Sequence, residues 1–275
     1  GGGVGCVVSV GNLPEDGRVK ADNLFNVFGC YGNVIRIRIN PEKKSSALIE
    51  FMTPTGANLA VRYLNEMELH GKMLDIRPTN KTITITEEEK KQGDDANKTE
   101  GGAPDAAADA APCDPLVKEY GNTLLHRFKP GETYNAKNIY APGKVLHVSN
   151  IALEVKQETL VDLFRPYGVT GFEWLRKVSD KRMAFIVVGS AAKAIEAVVH
   201  LHCTLLGDPD RQRDIRISFS KKDPESVLAL PHTSAPSSAA AQPPDANTQN
   251  NEGQAGTLTP APEGETKEAA ATAQQ

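Results

Sequence analysis

The feature that most constrains this chain is that it repeats itself. Val8-Ser-Val-Gly-Asn-Leu13 in the first half returns as Leu146-His-Val-Ser-Asn-Ile151 in the second. Leu24, Val27, Phe28 and the pair Tyr31-Gly32 return as Leu160, Leu163, Phe164 and Tyr167-Gly168. Lys44-Ser-Ser-Ala-Leu-Ile49 returns as Lys181-Arg-Met-Ala-Phe-Ile186. The offset is 136 at the Tyr-Gly pair and 137 at the shared alanines Ala47 and Ala184. An offset held nearly constant across several blocks points to two copies of one small domain.

Period gives the order of elements within each copy. Cys6–Val10 alternates as a short strand, and Leu24, Val27, Phe28 and Tyr31 fall on one helical face. Val34–Ile39 alternates again, with Arg36 and Arg38 between isoleucines, and Ala47–Phe51 is a third strand. Thr53 suits a helix cap and Pro54 a first helical turn, ahead of the stripe Ala57, Ala60, Val61, Leu64. Met73–Arg77 reads as the last strand. The second copy repeats this over Val145–Ser149, Lys156–Arg165, Val169–Leu175, Met183–Val188, Ala191–Leu201 and Ile215–Phe219. The fold class is therefore α+β, with two βαββαβ domains. Each packs two helices on one face of a four-stranded antiparallel sheet and leaves the other face open.

The rest of the chain does not read as core. Hydrophobic content is 39 % and aromatic content 5 %, too little for one globular unit of this length. The expected organisation is a first domain over 5–86, an acidic disordered insert over 87–117, a linker over 118–143, a second domain over 144–222 and a disordered tail over 223–275. Charge follows this division. Residues 1–82 carry net +2 and 144–222 net +4, whereas 83–143 carry −4 and 223–275 carry −6. Mildly basic domains between acidic segments suit a nucleic-acid partner better than the overall −4 does.

Several chemistries are disfavoured. Cys6, Cys30, Cys113 and Cys203 lie far apart with no metal-ligand spacing, so neither a zinc site nor a disulfide framework is expected, and a reducing compartment fits. No apolar run is long enough to span a membrane. Gly1-Gly-Gly-Val-Gly5 precedes a strand and is not a phosphate loop, and no paired carboxylates or Ser/His/Asp arrangement is visible. No cofactor and no metal are expected, and the chain is read as a monomer. His200 and His202 are read as helix-end residues, and Trp174 as packing with Phe172. Gly1 is not a methionine, which suggests sequence upstream of it.

Function is expected on the open faces. Alternation places His147 and Ser149, Met183, Phe185 and Val187, and Arg216, Ser218 and Ser220 on the open face of the second copy, followed by Lys221 and Lys222. Asn150 and Lys181 stand beside them. His147 and Phe185 offer flat surfaces for bases, Met183 a soft wall, Ser149, Asn150, Ser218 and Ser220 hydrogen bonds, and Lys181, Arg216, Lys221 and Lys222 contacts for phosphate. In the first copy the equivalent set is Ser9, Ser46, Leu48 and Glu50, with Arg36, Arg38 and Arg77, and Lys44 and Lys81 at the rim. It lacks a central aromatic, so Leu48 and hydrogen bonds to base edges would do the work. The competing reading is a protein-interaction module, which an exposed apolar helical surface would favour.

These blocks resemble the RNA recognition motif, a ferredoxin-like domain, with its short motif at 8–13 and 146–151 and its longer motif at 44–51 and 181–188. Of the usual aromatics only Phe185 is kept. Those departures, together with Tyr120-Gly-Asn-Thr-Leu-Leu-His-Arg-Phe-Lys129, Lys137-Asn-Ile-Tyr140 and Ile217-Ser-Phe-Ser-Lys221, are similar to the third and fourth domains of the polypyrimidine tract-binding protein family. Heterogeneous nuclear ribonucleoprotein L is similar too, less so in the linker. The resemblance implies helical faces packed together through the linker and RNA surfaces pointing apart. It also implies single-stranded CU- or U-rich RNA as ligand, other RNA-processing proteins as partners, and control of splicing and mRNA stability in the nucleus with shuttling to the cytoplasm. It implies a fifth strand in the first domain, expected at Thr82-Ile-Thr-Ile-Thr86.

Overall fold

The computed structural model describes residues 5–84, 117–121, 123–129, 135–175, 181–210 and 212–230. The first domain runs β1 (Val7–Gly11), α1 (Ala21–Phe28), β2 (Val34–Ile39), β3 (Ala47–Phe51), α2 (Pro54–Leu64), the short hairpin β4 (Glu68–Leu69) and β5 (Lys72–Met73), and β6 (Asp75–Thr79). Its sheet has the order β6-β1-β3-β2 and continues into β7 (Val117–Glu119) on the outer edge of β2. The second domain runs β8 (Val145–Ala152), α3 (Gln157–Phe164), β9 (Gly171–Trp174), β10 (Lys181–Val187), α4 (Ala191–Leu201), the hairpin β11 (Leu205–Leu206) and β12 (Arg213–Asp214), and β13 (Arg216–Phe219). Its sheet has the order β13-β8-β10-β9, the same topology.

Local chemistry explains these boundaries. The Thr53 hydroxyl accepts from the Gly56 amide and Pro54 opens α2, while the Ser190 hydroxyl accepts from the Lys193 amide to open α4. Asn12 follows β1, and Asn150 sits inside β8 where its register with β10 shifts, both in the left-handed region at φ 62° and 60°. Each amide then donates across to the last hairpin, Asn12 to the Met73 carbonyl and Asn150 to that of Asp214. Asparagine tolerates that backbone and supplies the clamp. Pro78 pairs with Val8 on β6, an edge strand, where its missing donor costs nothing.

The structure departs from the sequence reading at three boundaries. The fifth strand is Val117–Glu119, while residues 82–84 are not a strand and 85–86 lie outside the described residues. Val117 is therefore part of the sheet and buried, not part of an insert. The second domain does not end at 222. A 3-10 turn at Pro224–Ser226 leads to a segment that bridges β9, with the Phe172 amide donating to Leu228 and the Leu230 amide to Thr170. The remainder of the expected tail, and the insert from 87 to 116, lie outside the described residues. Trp174 is half-buried and packs edge-on against Phe172 at 4.9 Å, under the Arg182 guanidinium.

The two domains dock through their helical layers. Asn23 and Asn26 on α1 donate to the Val199 carbonyl of α4, and Asn26 also to that of His202. Tyr31 faces Phe219 at 6.4 Å. The linker fills the remaining space. Tyr120 stacks on Phe25 at 4.3 Å and donates to Asp22, and His126 reaches the Val34 carbonyl. Asn33 pairs with the Phe128 backbone in both directions. Arg127 caps the free edge of β13 at the Ile217 carbonyl and meets His202 Nδ1, which also accepts from the Ile217 amide. His200, read as a helix-end residue, faces His70 across this interface at 2.9 Å.

Burial holds His202 well below the usual histidine range, with Arg127 and Arg216 adding to the shift, and burial also lowers His70 and His200. The unfolded chain takes up protons on these rings as pH falls through about 6.5, while the native interface resists them. Their contribution to stability is whole above that value and shrinks as pH falls below it. Melting followed by circular dichroism should give a lower Tm at pH 5.5 than at pH 7.5, and His202→Asn should flatten that difference. Asn23→Ala/Asn26→Ala strips the Val199 carbonyl of both side-chain donors and His202's of that from Asn26, and should cost roughly 1–3 kcal/mol. A Tm unchanged in the double variant would contradict this account of the docking.

Candidate nucleic-acid interface

With the helical layers facing each other, both open sheet faces lie outward. On the second domain, β8 and β10 set His147 opposite Phe185, and β13 sets Ser218 on the other side of His147. The rings sit 5.6 Å apart and are tilted by 58°, so together they form an angled platform. Burial, and secondarily Arg127, lowers the His147 pKa, which favours a neutral ring against a base. Ser149 lies opposite Arg216 in the next row. Met183 sits where the β10–β8 register shifts, opposite the extra residue that β8 carries at Ser149 and Asn150.

Not every expected residue is available for a ligand. The Arg216 guanidinium binds Asp214 and the Leu125 carbonyl. The Asn150 amide is held by Asp214, the Ser149 hydroxyl donates to Arg216's carbonyl, and the Ser220 hydroxyl accepts from the Lys222 amide. Val187 faces outward as alternation requires, yet it is buried with Val145 beneath Val227, where the chain crosses the sheet after β13. That crossing segment also lays the Lys222 ammonium 4.6 Å from the Phe185 ring centre and bonds it to Glu173. Lys221 is exposed, its ammonium 5.7 Å from the Tyr140 ring. Lys181 stands on β10.

The first domain divides its face in two. One row sets Arg77, Ser9, Leu48 and Arg38 side by side across β6, β1, β3 and β2. Ser9, Ser46, Leu48, Arg38, Lys81, Asn40 and Asp75 line an open groove of about 420 Å³ there. Lys44 and Arg77 are exposed near its rim, Arg77 paired with Asp75 at 2.7 Å. The next row holds Glu50 opposite Arg36, and it is covered. Arg36 pairs with Glu50 and with Glu119, and it donates to the Ile83 carbonyl at 3.1 Å. Arg38 donates to the Thr84 carbonyl at 2.6 Å. Ile83 and Glu50 are both buried. In both copies, then, the chain leaves the last strand, crosses the open face and adds backbone to the far edge. Alternation could not find this, because it gives the facing of a strand and not what returns over it.

Among the described residues no group of three or more His, Cys, Asp or Glu is arranged to hold a metal ion, and no helix is long and apolar enough to cross a membrane.

Residues 1–100 match the RNA recognition motif model. Polypyrimidine tract-binding protein homolog 3 of Arabidopsis thaliana is 29 % identical over 216 residues, 78 % of this chain and 43 % of that protein. Heterogeneous nuclear ribonucleoprotein L of Homo sapiens is 23 % identical over 155 residues, 56 % of this chain and 23 % of that protein. Among solved structures, the Sxl-lethal protein/RNA complex aligns over 78 % of this chain and 98 % of that one at 14 % identity, with a TM-score of 0.26. The chain spans less than half the length of both curated relatives. The chain is thus similar to polypyrimidine tract-binding protein homolog 3 and to heterogeneous nuclear ribonucleoprotein L, and its residues 1–100 match the RNA recognition motif.

Proposed function

We propose that the chain binds single-stranded, pyrimidine-rich RNA on its two outward sheet faces, without enzymatic chemistry, and acts in mRNA processing through splicing and mRNA stability. The observation that carries this reading is the angled platform of His147 and Phe185 on an outward sheet face, with lysines at its rim. Stacking on such rings contributes about 1–3 kcal/mol per base and tolerates any sequence, while lysines hold phosphate. The groove of the first domain offers the small apolar surface of Leu48 with Ser9, Ser46 and Lys81 around it. The pyrimidine preference comes from the relatives' names. The nuclear site of action with shuttling, the monomeric state and further RNA-processing partners belong to the same proposal.

Roles follow from what each side chain already does. His147, Phe185, Met183, Leu48 and Ser218 act at bases. Lys44, Lys81, Arg77, Lys181, Lys221 and Lys222 act at phosphates, while Arg38, bonded to the Thr84 carbonyl, holds the strip that crosses the sheet. Arg36, Arg216, Ser149 and Asn150 act through the sheet they hold in place, as their present bonds indicate. The protein-interaction reading gains nothing here, since the exposed large apolar residues among those described, such as Leu124, Leu153 and Leu205, are not on helices.

Fluorescence titration of the full chain with CUCUCU and with an adenine hexamer tests the proposal. Pyrimidine-selective binding is expected. His147→Ala/Phe185→Ala should weaken it by roughly 10- to 100-fold, the loss of one or two stacked bases. Log affinity should fall modestly with log salt, in line with a few phosphate contacts. Equal affinity for both hexamers would remove the pyrimidine assignment, and an unaltered double variant would move the site off this face.

A further inference from the structure

Glu173 has no part in the reading so far, yet it stands beside the aromatic platform. It lies directly across β9 and β10 from Phe185, close enough for side chains of opposed strand residues to interact. It is on the outward face and partly exposed. Its carboxylate bonds the Lys222 ammonium, and that same ammonium sits 4.6 Å from the Phe185 ring centre. The free protein thus keeps an N–H donor over the ring and within reach of the carboxylate. Lys222 is delivered there by the crossing segment after β13, anchored beyond it by Val227 and by the Leu228 and Leu230 backbone bonds to β9.

We propose that Glu173 selects the base stacked on Phe185, favouring cytosine over uracil. This rests on the second face being an RNA site. A base entering over the ring takes the place of the ammonium, which is then free to follow the phosphate. The carboxylate is left needing a donor, because an ionised Glu only accepts. Cytosine presents its N4 amino group, which carboxylates accept from, whereas uracil presents O4, a second acceptor. Two acceptors face to face at position 4 are repulsive, and uracil's own donor, N3–H, lies one ring position away, so the carboxylate loses the partner that cytosine supplies there. Glu173 thereby converts a sequence-tolerant stacking platform into a discriminating one. Adenine also carries an amino donor, so the choice Glu173 makes is between the two pyrimidines.

The test reads the second face alone, within the full chain. Amide chemical shifts of Ala184 and Phe185 are followed during titration with cytidine and uridine hexamers, which removes any question of register. Wild type should bind the cytidine hexamer roughly 5- to 20-fold more tightly at these amides. Glu173→Gln can donate as well as accept, and should bring the two within about twofold. The ratio is the readout, because removing a negative charge strengthens binding of every oligonucleotide. A wild-type ratio near one, or an E173Q ratio equal to a large wild-type ratio, overturns the role of Glu173 while leaving the RNA site in place. Shifts at these amides with neither hexamer overturn the site and the inference together.

Discussion

The docking of α1 against α4 is the constraint on which the rest depends. Each domain is a two-layer sandwich with one sheet face uncovered. Packing the helical layers together commits both uncovered faces to the outside and buries the surface that would otherwise compete for partners. The interface is polar as well as apolar. Asn23, Asn26 and Asn33 each satisfy backbone groups across it, and Arg127 satisfies the Ile217 carbonyl on the outer edge of β13 beside a buried His202. Buried polar groups of this kind are costly when unpaired and so favour one arrangement over near neighbours. The linker is therefore structural between Val117 and Lys129: it extends one sheet, stacks on α1 and closes the edge of the other sheet.

The second organising device is the return of the chain across each open face. In the first domain the strip at Ile83 and Thr84 occupies Arg36 and Arg38 and buries Glu50, leaving the groove at Ser9 and Leu48. In the second, Val227 covers Val145 and Val187, and Lys222 rests on Phe185. Both returns end by adding backbone to the sheet's far edge, which shields that edge from pairing with other chains. The result is a pair of faces narrower than the strands alone would offer. The two faces differ: the first holds an aliphatic groove with hydroxyls, the second angled rings and an acid.

Much of this was legible in the sequence. The repeat, the helix caps at Thr53 and the outward facing of His147, Phe185, Ser218 and Leu48 follow from alternation and turn chemistry, which are local. The docking partners of Tyr120–Lys129 came through family resemblance, since nothing in the composition of that stretch says what it touches. Three things stayed hidden for physical reasons. Val117–Glu119 is too short to show a period and follows an acidic, alanine-rich run. Val227–Leu230 sits among Pro and Ser, and its order comes from contacts with β9 formed only on folding. Arg36, Arg216 and Asn150 look like ligand contacts by position, and only the tertiary structure reveals that Glu50, Leu125 and Asp214 already engage them.

On the proposed function, the docked pair meets single-stranded RNA with its two open sheet faces and not with its helices. The most direct test is a map of backbone amide shifts over the full chain as a short pyrimidine RNA is added. The account predicts shifts at Ser9, Leu48, His147, Phe185 and Ser218, with Asn23, Asn26, Val199 and His202 unmoved in the docked interface. Shifts gathered on α1 and α4 with the sheet faces silent would contradict it.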